Sequence, residues 1–331
     1  MKIAIIGPGL MPIPPKGWGA IESLIWDYSE ELLNLDHEVA IFNKRDLNEV
    51  VEGVNSFNPD FVHLQYDDYI LALNHINCRH KAVTTHYAYL EQPRKHGPYA
   101  QIFNAYKSVP SCYVFALSEG IKNTFMELND IPEERIFITP NGAREDLFAF
   151  DQSCSKSDNP FVSDGGESKP SRSIYLAKID YRKRQHLFQK KDMNIDFVGN
   201  HADPSFDVND PAYLGEWNKE FLYKNLTNYA NMVLLSDGEA HSLSCLEGLM
   251  SGLGLVISEY CTANLDTSLP FIDVIPENRI LDGNFVRKTI ALNRQKSISM
   301  RKDIRKYAVD NFSWKVVVKK YSDTVEKIIN E

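Results

Sequence analysis

A repeated alternation of short apolar runs with stretches of helical periodicity constrains this chain more than any other feature. Runs at 2–7, 38–42, 61–65, 82–85, 112–117 and 135–138 have strand length and read as buried strands. Between them, 20–35 sets Ile21, Leu24, Ile25, Tyr28, Leu32 and Leu35 on one broad helical face, and 47–57 and 119–128 are also helical. Strand, helix, strand in this order predicts a parallel sheet with helices on both faces. The rhythm stops at 151–173, a segment rich in Ser, Asp, Gly and Pro that reads as a linker or surface loop. It then resumes with strands at 173–177, 195–198, 232–235 and 255–258, and helices at 185–190, 219–230 and 244–251. From 284 onward the sequence is mostly helical. Over 314–329 Val316, Val317, Tyr321, Val325 and Ile328 form a face that needs burial. The expected architecture is two doubly wound α/β domains, 1–150 and 174–310, flanking the linker. Ligands of such folds sit at the carboxyl ends of strands, here in the cleft between the domains.

Composition narrows the function classes. At 331 residues, with 43% hydrophobic and 24% charged residues, the chain has ample material for a buried core. A formal charge of -9 argues against a nucleic-acid binder, which would carry a basic surplus. Five cysteines, an odd number without a C-x-x-C, argue against a disulfide framework or a zinc site and favour the reducing cytoplasm. No run reaches the roughly 20 apolar residues of a membrane span. Scattered basic residues near Arg182–Arg184 and 301–306 allow peripheral membrane contact at most.

Three segments carry candidate chemistry. Glycines at 7, 9, 17 and 19 join the first strand to the first helix, where backbone N–H groups could approach an anion; a proline-stiffened loop without ligand is the alternative. Lys178, Arg182, Lys183 and Arg184 follow the first strand of the second domain, and four cations there suit a diphosphate, although a solvated charge run has the same composition. The sharpest segment is 236–252. Glu239 and Glu247 stand eight positions apart. On one helix they would diverge by about 80°, so Glu239 is expected in a loop and Glu247 in the following helix. Ser242 or Ser244 would cap that helix. Glu247 sits beside buried-looking Leu246, Leu249 and Met250 and needs a partner, for which sugar hydroxyls serve. His86 and His241 each read either as site groups or as ordinary loop residues.

The segment from Glu239 to Gly252, a Glu, seven residues and a second Glu, resembles the signature of the family-4, or group 1, glycosyltransferases. PPKGWGAIE (14–22), DHEVAIF (36–42), DFVHLQ (60–65), VTTHY (83–87), LSEGIKNTF (117–125), TPNG (139–142) and FSW (312–314) extend the resemblance, in order, over nearly the whole chain. It implies a GT-B fold, two Rossmann-like domains facing a cleft, with the C-terminal helix at about 314–331 completing the first domain. The implied activity is retaining, metal-independent transfer of a sugar from a nucleoside-diphosphate sugar to an acceptor hydroxyl, with no cofactor. The resemblance assigns catalytic roles to His86, Lys178, Lys183 and Glu239. It gives donor binding to Gly17, Gly19, Lys178, Lys183, Glu239, Ala240, His241, Ser242, Leu243 and Glu247. Glu247 would hold the ribose hydroxyls, Glu239 the sugar, and the two lysines the diphosphate. Ala240 and Ser242 stand where the family has glycines and reshape the sugar pocket; Lys178 stands for an arginine. The acceptor, whether carbohydrate, lipid-linked or protein, is not encoded in these motifs. A nucleotide-sugar epimerase, a phosphorylase and a non-catalytic binding subunit share the fold and remain alternatives.

Overall fold

The computed structural model describes residues 1–17, 19–150 and 172–331, so the expected linker at 151–173 lies outside the described residues apart from its last two positions. The described residues divide into two compact units, Met1–Gly142 with Trp314–Glu331, and Ala143–Ser313.

The first unit is built on strands β1 (Lys2–Ile6), β2 (Glu38–Phe42), β3 (Phe61–Leu64), β4 (His80–Val83), β5 (Tyr113–Ala116) and β6 (Ile136–Ile138). All pairings are parallel, in the order β2-β1-β3-β4-β5-β6. The order reverses between β1 and β3, which makes their carboxyl ends the switch point where such sheets receive ligands. Helices α1 (Ala20–Asn34), α2 (Leu47–Phe57), α3 (Tyr99–Ala105) and α4 (Glu119–Asn129) connect the strands. Asp46 caps α2 by accepting from Asn48 N at 2.9 Å, and Ser118 caps α4 by accepting from Ile121 N at 3.1 Å. The final helix, Trp314–Asn330, buries Trp314, Val317, Val318, Tyr321, Val325 and Ile328 against Leu24, Ile25, Tyr28 and Leu32 of α1. The Tyr28 ring lies 4.9 Å from Trp314 and 5.2 Å from Tyr321.

The second unit carries β7 (Ser173–Leu176), β8 (Ile195–Val198), β9 (Asn231–Leu234), β10 (Gly254–Ser258) and β11 (Ile272–Ile275), parallel in the order β11-β10-β9-β7-β8. Here the switch point lies between β7 and β9. Its helices are α5 (Lys219–Asn225), α6 (Leu243–Met250), α7 (Gly283–Ser299) and α8 (Arg301–Phe312). Ala143 and Phe148 bury in this unit's core, so the chain passes from one unit to the other at Gly142. Two expected helices are shorter than their periodicity implied. The one at 185–190 is a 3-10 turn, Gln185–Leu187, and the one at 219–230 ends at Asn225 before the turn Leu226–Asn228. No described helix is long and apolar enough to cross a membrane.

Candidate functional site

The carboxyl end of β7 continues through Ala177, Lys178 and Ile179 into two successive 3-10 turns, Tyr181–Lys183 and Gln185–Leu187. Asp180 starts the first turn, its Oδ1 accepting from Lys183 N at 2.9 Å. Arg184 joins the turns in a left-handed conformation, φ 59°. This geometry rolls Lys183 inward until it is 7% exposed, while Lys178 remains exposed. The buried Tyr175 hydroxyl donates to the Lys183 carbonyl and accepts from Leu235 N at 2.8 Å, lacing the turn to the end of β9. Asp237 N donates to Arg182 O at 2.8 Å and completes that seam.

Glu239 enters from the loop after β9. One oxygen, Oε1, accepts both from Lys183 Nζ and from Arg182 Nη1, the latter at 2.9 Å. Burial alone would raise this carboxyl, but the Lys183 and Arg182 charges hold it below the ordinary glutamate value. Arg182 also donates to Gly238 O at 2.5 Å. Arg184 forms a second bridge, to Asp237 at 2.6 Å and to both oxygens of Glu277 at 2.6 and 2.9 Å. Three loops, after β7, β9 and β11, are thereby tied at one edge of the sheet.

Ser242 caps α6, its Oγ accepting from Cys245 N at 3.4 Å, and Leu243 is the first helical residue. Ala240 and His241 precede the cap, both buried. Burial pushes His241 down to about 3, so its ring is neutral, and it packs 5.8 Å from the Phe312 ring. Glu247 lies on α6, half-buried, and pairs with Lys219 of α5 at 3.1 Å. Glu239 in the loop and Glu247 in the helix is the arrangement their spacing predicted. The sequence carries no signal for Lys219 and Glu277, which come from α5 and from the turn after β11, and it assigns Arg182 and Arg184 only collectively, among the four cations suited to a diphosphate.

In the first unit, Gly19 caps α1 at φ 140°. A side chain there would meet Pro15 at 3.0 Å and the Glu22 carboxylate at 3.2 Å, so the loop carrying Gly17 closes over the helix start only because residue 19 lacks one. His86 follows β4, its Nε2 3.0 Å from Gln65 Oε1. Burial lowers it to about 4, which makes it a neutral imidazole. The polarity of its contact follows from the network behind it. Thr84 Oγ1 donates to Phe115 O at 3.0 Å and so must accept from His63 Nε2 at 2.8 Å. His63 Nδ1 is then an acceptor, facing Tyr321 OH at 3.1 Å and Gln65 Nε2 at 3.2 Å. Gln65 turns its amide N toward His63 and its oxygen toward His86, whose Nε2–H donates. His86 Nδ1 is therefore an acceptor. Asp67, which the sequence left without a role, is buried and accepts from Tyr99 at 2.5 Å and Tyr106 at 3.0 Å. Among the described residues no group of three or more His, Cys, Asp or Glu side chains is placed to hold a metal ion.

No protein-family model and no curated protein sequence matches the chain. Solved structures do match over its whole length. Sucrose-phosphate synthase from Thermosynechococcus elongatus superposes with a TM-score of 0.75 at 13% identity, covering 99% of each chain. The fold is GT-B. Anabaena HepE in complex with UDP and glucose gives 0.72 at 13% identity, covering 99% of this chain and 100% of that one. WaaG, a glycosyltransferase involved in lipopolysaccharide biosynthesis, gives 0.71 at 12% identity over 98% and 99%. The fold expected from the motifs is thus the fold found.

Proposed function

We propose that this chain is a group 1, family-4 type glycosyltransferase that moves a sugar from a nucleoside-diphosphate sugar to an acceptor hydroxyl, with retention of configuration, without a metal ion or cofactor, in the cytoplasm. The observation that carries the reading is the pair of cations, the buried Lys183 and the half-buried Arg182, held on a single carboxylate at the β7/β9 switch point. Fixed cations at this edge suit a leaving diphosphate, whose charge grows as the glycosidic bond breaks. The capped start of α6 adds N–H groups for the same anion. That solved GT-B structures include HepE with bound UDP-glucose supports the same class of donor. Lys178 supplements the diphosphate site, and the loop of Gly17 and Gly19 offers backbone N–H groups. Ala240, His241 and Leu243 shape the wall beside Glu239. His86 enters the transfer step as a neutral acceptor for a sugar hydroxyl.

The test is a panel of nucleotide-sugars in a thermal-shift assay, followed by transfer in EDTA. One donor should raise the melting temperature, because it binds the folded state alone, and transfer should persist with chelator. If every nucleotide-sugar leaves the melting temperature unchanged, the donor assignment fails. Loss of transfer in EDTA with recovery in manganese would remove the metal-free part.

Glu247 is assigned to the ribose hydroxyls. Glu247→Ala should weaken nucleotide and nucleotide-sugar alike, by roughly ten- to a hundredfold, the worth of hydrogen bonds to a charged acceptor. Calorimetric titration checks this, and unchanged affinity for both ligands would move the ribose elsewhere.

A further inference from the structure

Glu239 occupies the charges that the diphosphate needs. Its Oε1 accepts from both cations, and the three side chains are little exposed, 10% for Glu239, 9% for Lys183 and 27% for Arg182. Neither partner can drift away. Lys183 is fixed through its backbone by Asp180 and Tyr175, and Glu239 through its N–H on Tyr260 O at 3.2 Å. An anion drawn to Lys183 and Arg182 therefore competes with Oε1 for their charges, and the carboxylate stays close by.

We infer that Glu239 is an internal rival of the diphosphate, and that through this rivalry it favours the nucleotide-sugar over the free nucleoside diphosphate and speeds product release. The inference rests on the reading of the cationic cluster given above. The argument is one of donors and acceptors. A carboxylate stripped of two charge-assisted hydrogen bonds needs new donors. A sugar still attached to the diphosphate supplies hydroxyls that donate. A free nucleoside diphosphate presents acceptor oxygens at that end, which repel the carboxylate. Charge acts in the same sense. A diphosphate diester carries two negative charges, whereas the free terminal phosphate adds most of another, its second pKa being about 6. On the cations alone the product would bind more tightly than the donor. Glu239 reverses this, and once the sugar has gone it returns to Lys183 and Arg182.

The experiment titrates wild type and Glu239→Gln with inorganic pyrophosphate, UDP and UDP-glucose by calorimetry. Glutamine keeps the shape and removes the charge, leaving the cations without their rival. Affinity for pyrophosphate and UDP should rise roughly tenfold or more, UDP-glucose should gain less, and UDP should become a stronger product inhibitor of transfer. Glu239→Asp keeps the charge but retracts Oε1 by a methylene, so it should fall between the two; it also serves if the glutamine variant folds poorly. Folded variants that bind pyrophosphate and UDP no more tightly than wild type overturn the inference and leave the site intact. Wild type that binds none of the three probes refutes the diphosphate reading itself.

Discussion

Lys183→Met should lower turnover by roughly a hundred- to a thousandfold, the usual loss when one fixed group facing developing charge is removed. Lys183 is 7% exposed and its ammonium is held on Glu239. Methionine fills much of the same volume, which separates the charge from the packing. The variant should also be less stable, since it leaves Glu239 buried with Arg182 as the remaining cation; breaking a buried ion pair costs about 3–5 kcal/mol when nothing replaces it. The pH dependence identifies the cause. In wild type Glu239 is held below its ordinary value. Its contribution is therefore present at neutral pH and is lost as pH falls through that lowered value. Without Lys183 the carboxyl moves up, and at neutral pH the variant must keep a poorly compensated charge buried. Its deficit against wild type should be widest near pH 7 and shrink as pH falls, first as the variant's raised carboxyl takes up a proton and then as the wild-type carboxyl does so below the ordinary glutamate value. Urea melts across that range, beside kcat, decide the matter. A deficit independent of pH would assign Lys183 a packing role.

A large loss of stability is also expected from Gly199→Ala. Gly199 follows β8 at φ 153°, and a Cβ there would lie 1.9 Å from the Ala177 carbonyl oxygen. The backbone cannot step aside. Ala177 N donates to Val198 O at 3.0 Å, Gly199 N to Gly215 O at 3.0 Å, and Tyr213 OH to Gly199 O at 3.0 Å. A methyl group must spread β7 from β8 just before the turn that carries Lys183. We expect a loss of about 3 kcal/mol or more, since strain and a broken strand pairing add, together with weaker pyrophosphate binding. Gly283→Ala, where a Cβ meets nothing within 4 Å, is the matched control and should be neutral or slightly stabilising. Equal melting temperatures for the two variants would show that the strands relax at little cost.

The regular part of this molecule was legible in its sequence because parallel strands buried on both faces are continuous apolar runs, and their helices show one apolar side. What escaped depends on distant partners. The Ile272–Ile275 strand of β11 is a four-residue run between Pro270 and Pro276, too short to stand out, and becomes a strand by pairing with β10. Asp67 shows no sign of burial in its own neighbourhood, because Tyr99 and Tyr106, which bury it, lie 32 and 39 positions away. The motif gave Glu239 and Glu247 their loop and helix positions. It did not distinguish Lys178 from Lys183, since a short turn capped by Asp180 decides which lysine is buried. Nor could it foresee Glu277 on Arg184, at a separation of 93 positions.

The second unit is one unbroken stretch set inside the first, which opens the chain and also closes it. During synthesis the whole of the inserted unit is made before Trp314 and Tyr321 exist. At about 5–20 residues per second this amounts to a wait on the order of ten to thirty seconds. Throughout it Leu24, Ile25, Tyr28 and Leu32 of α1 lack the final helix that covers them. The unit made first is thus the one finished last, and a chain released after Ser313 should expose this apolar face to chaperones while its inserted unit is already complete.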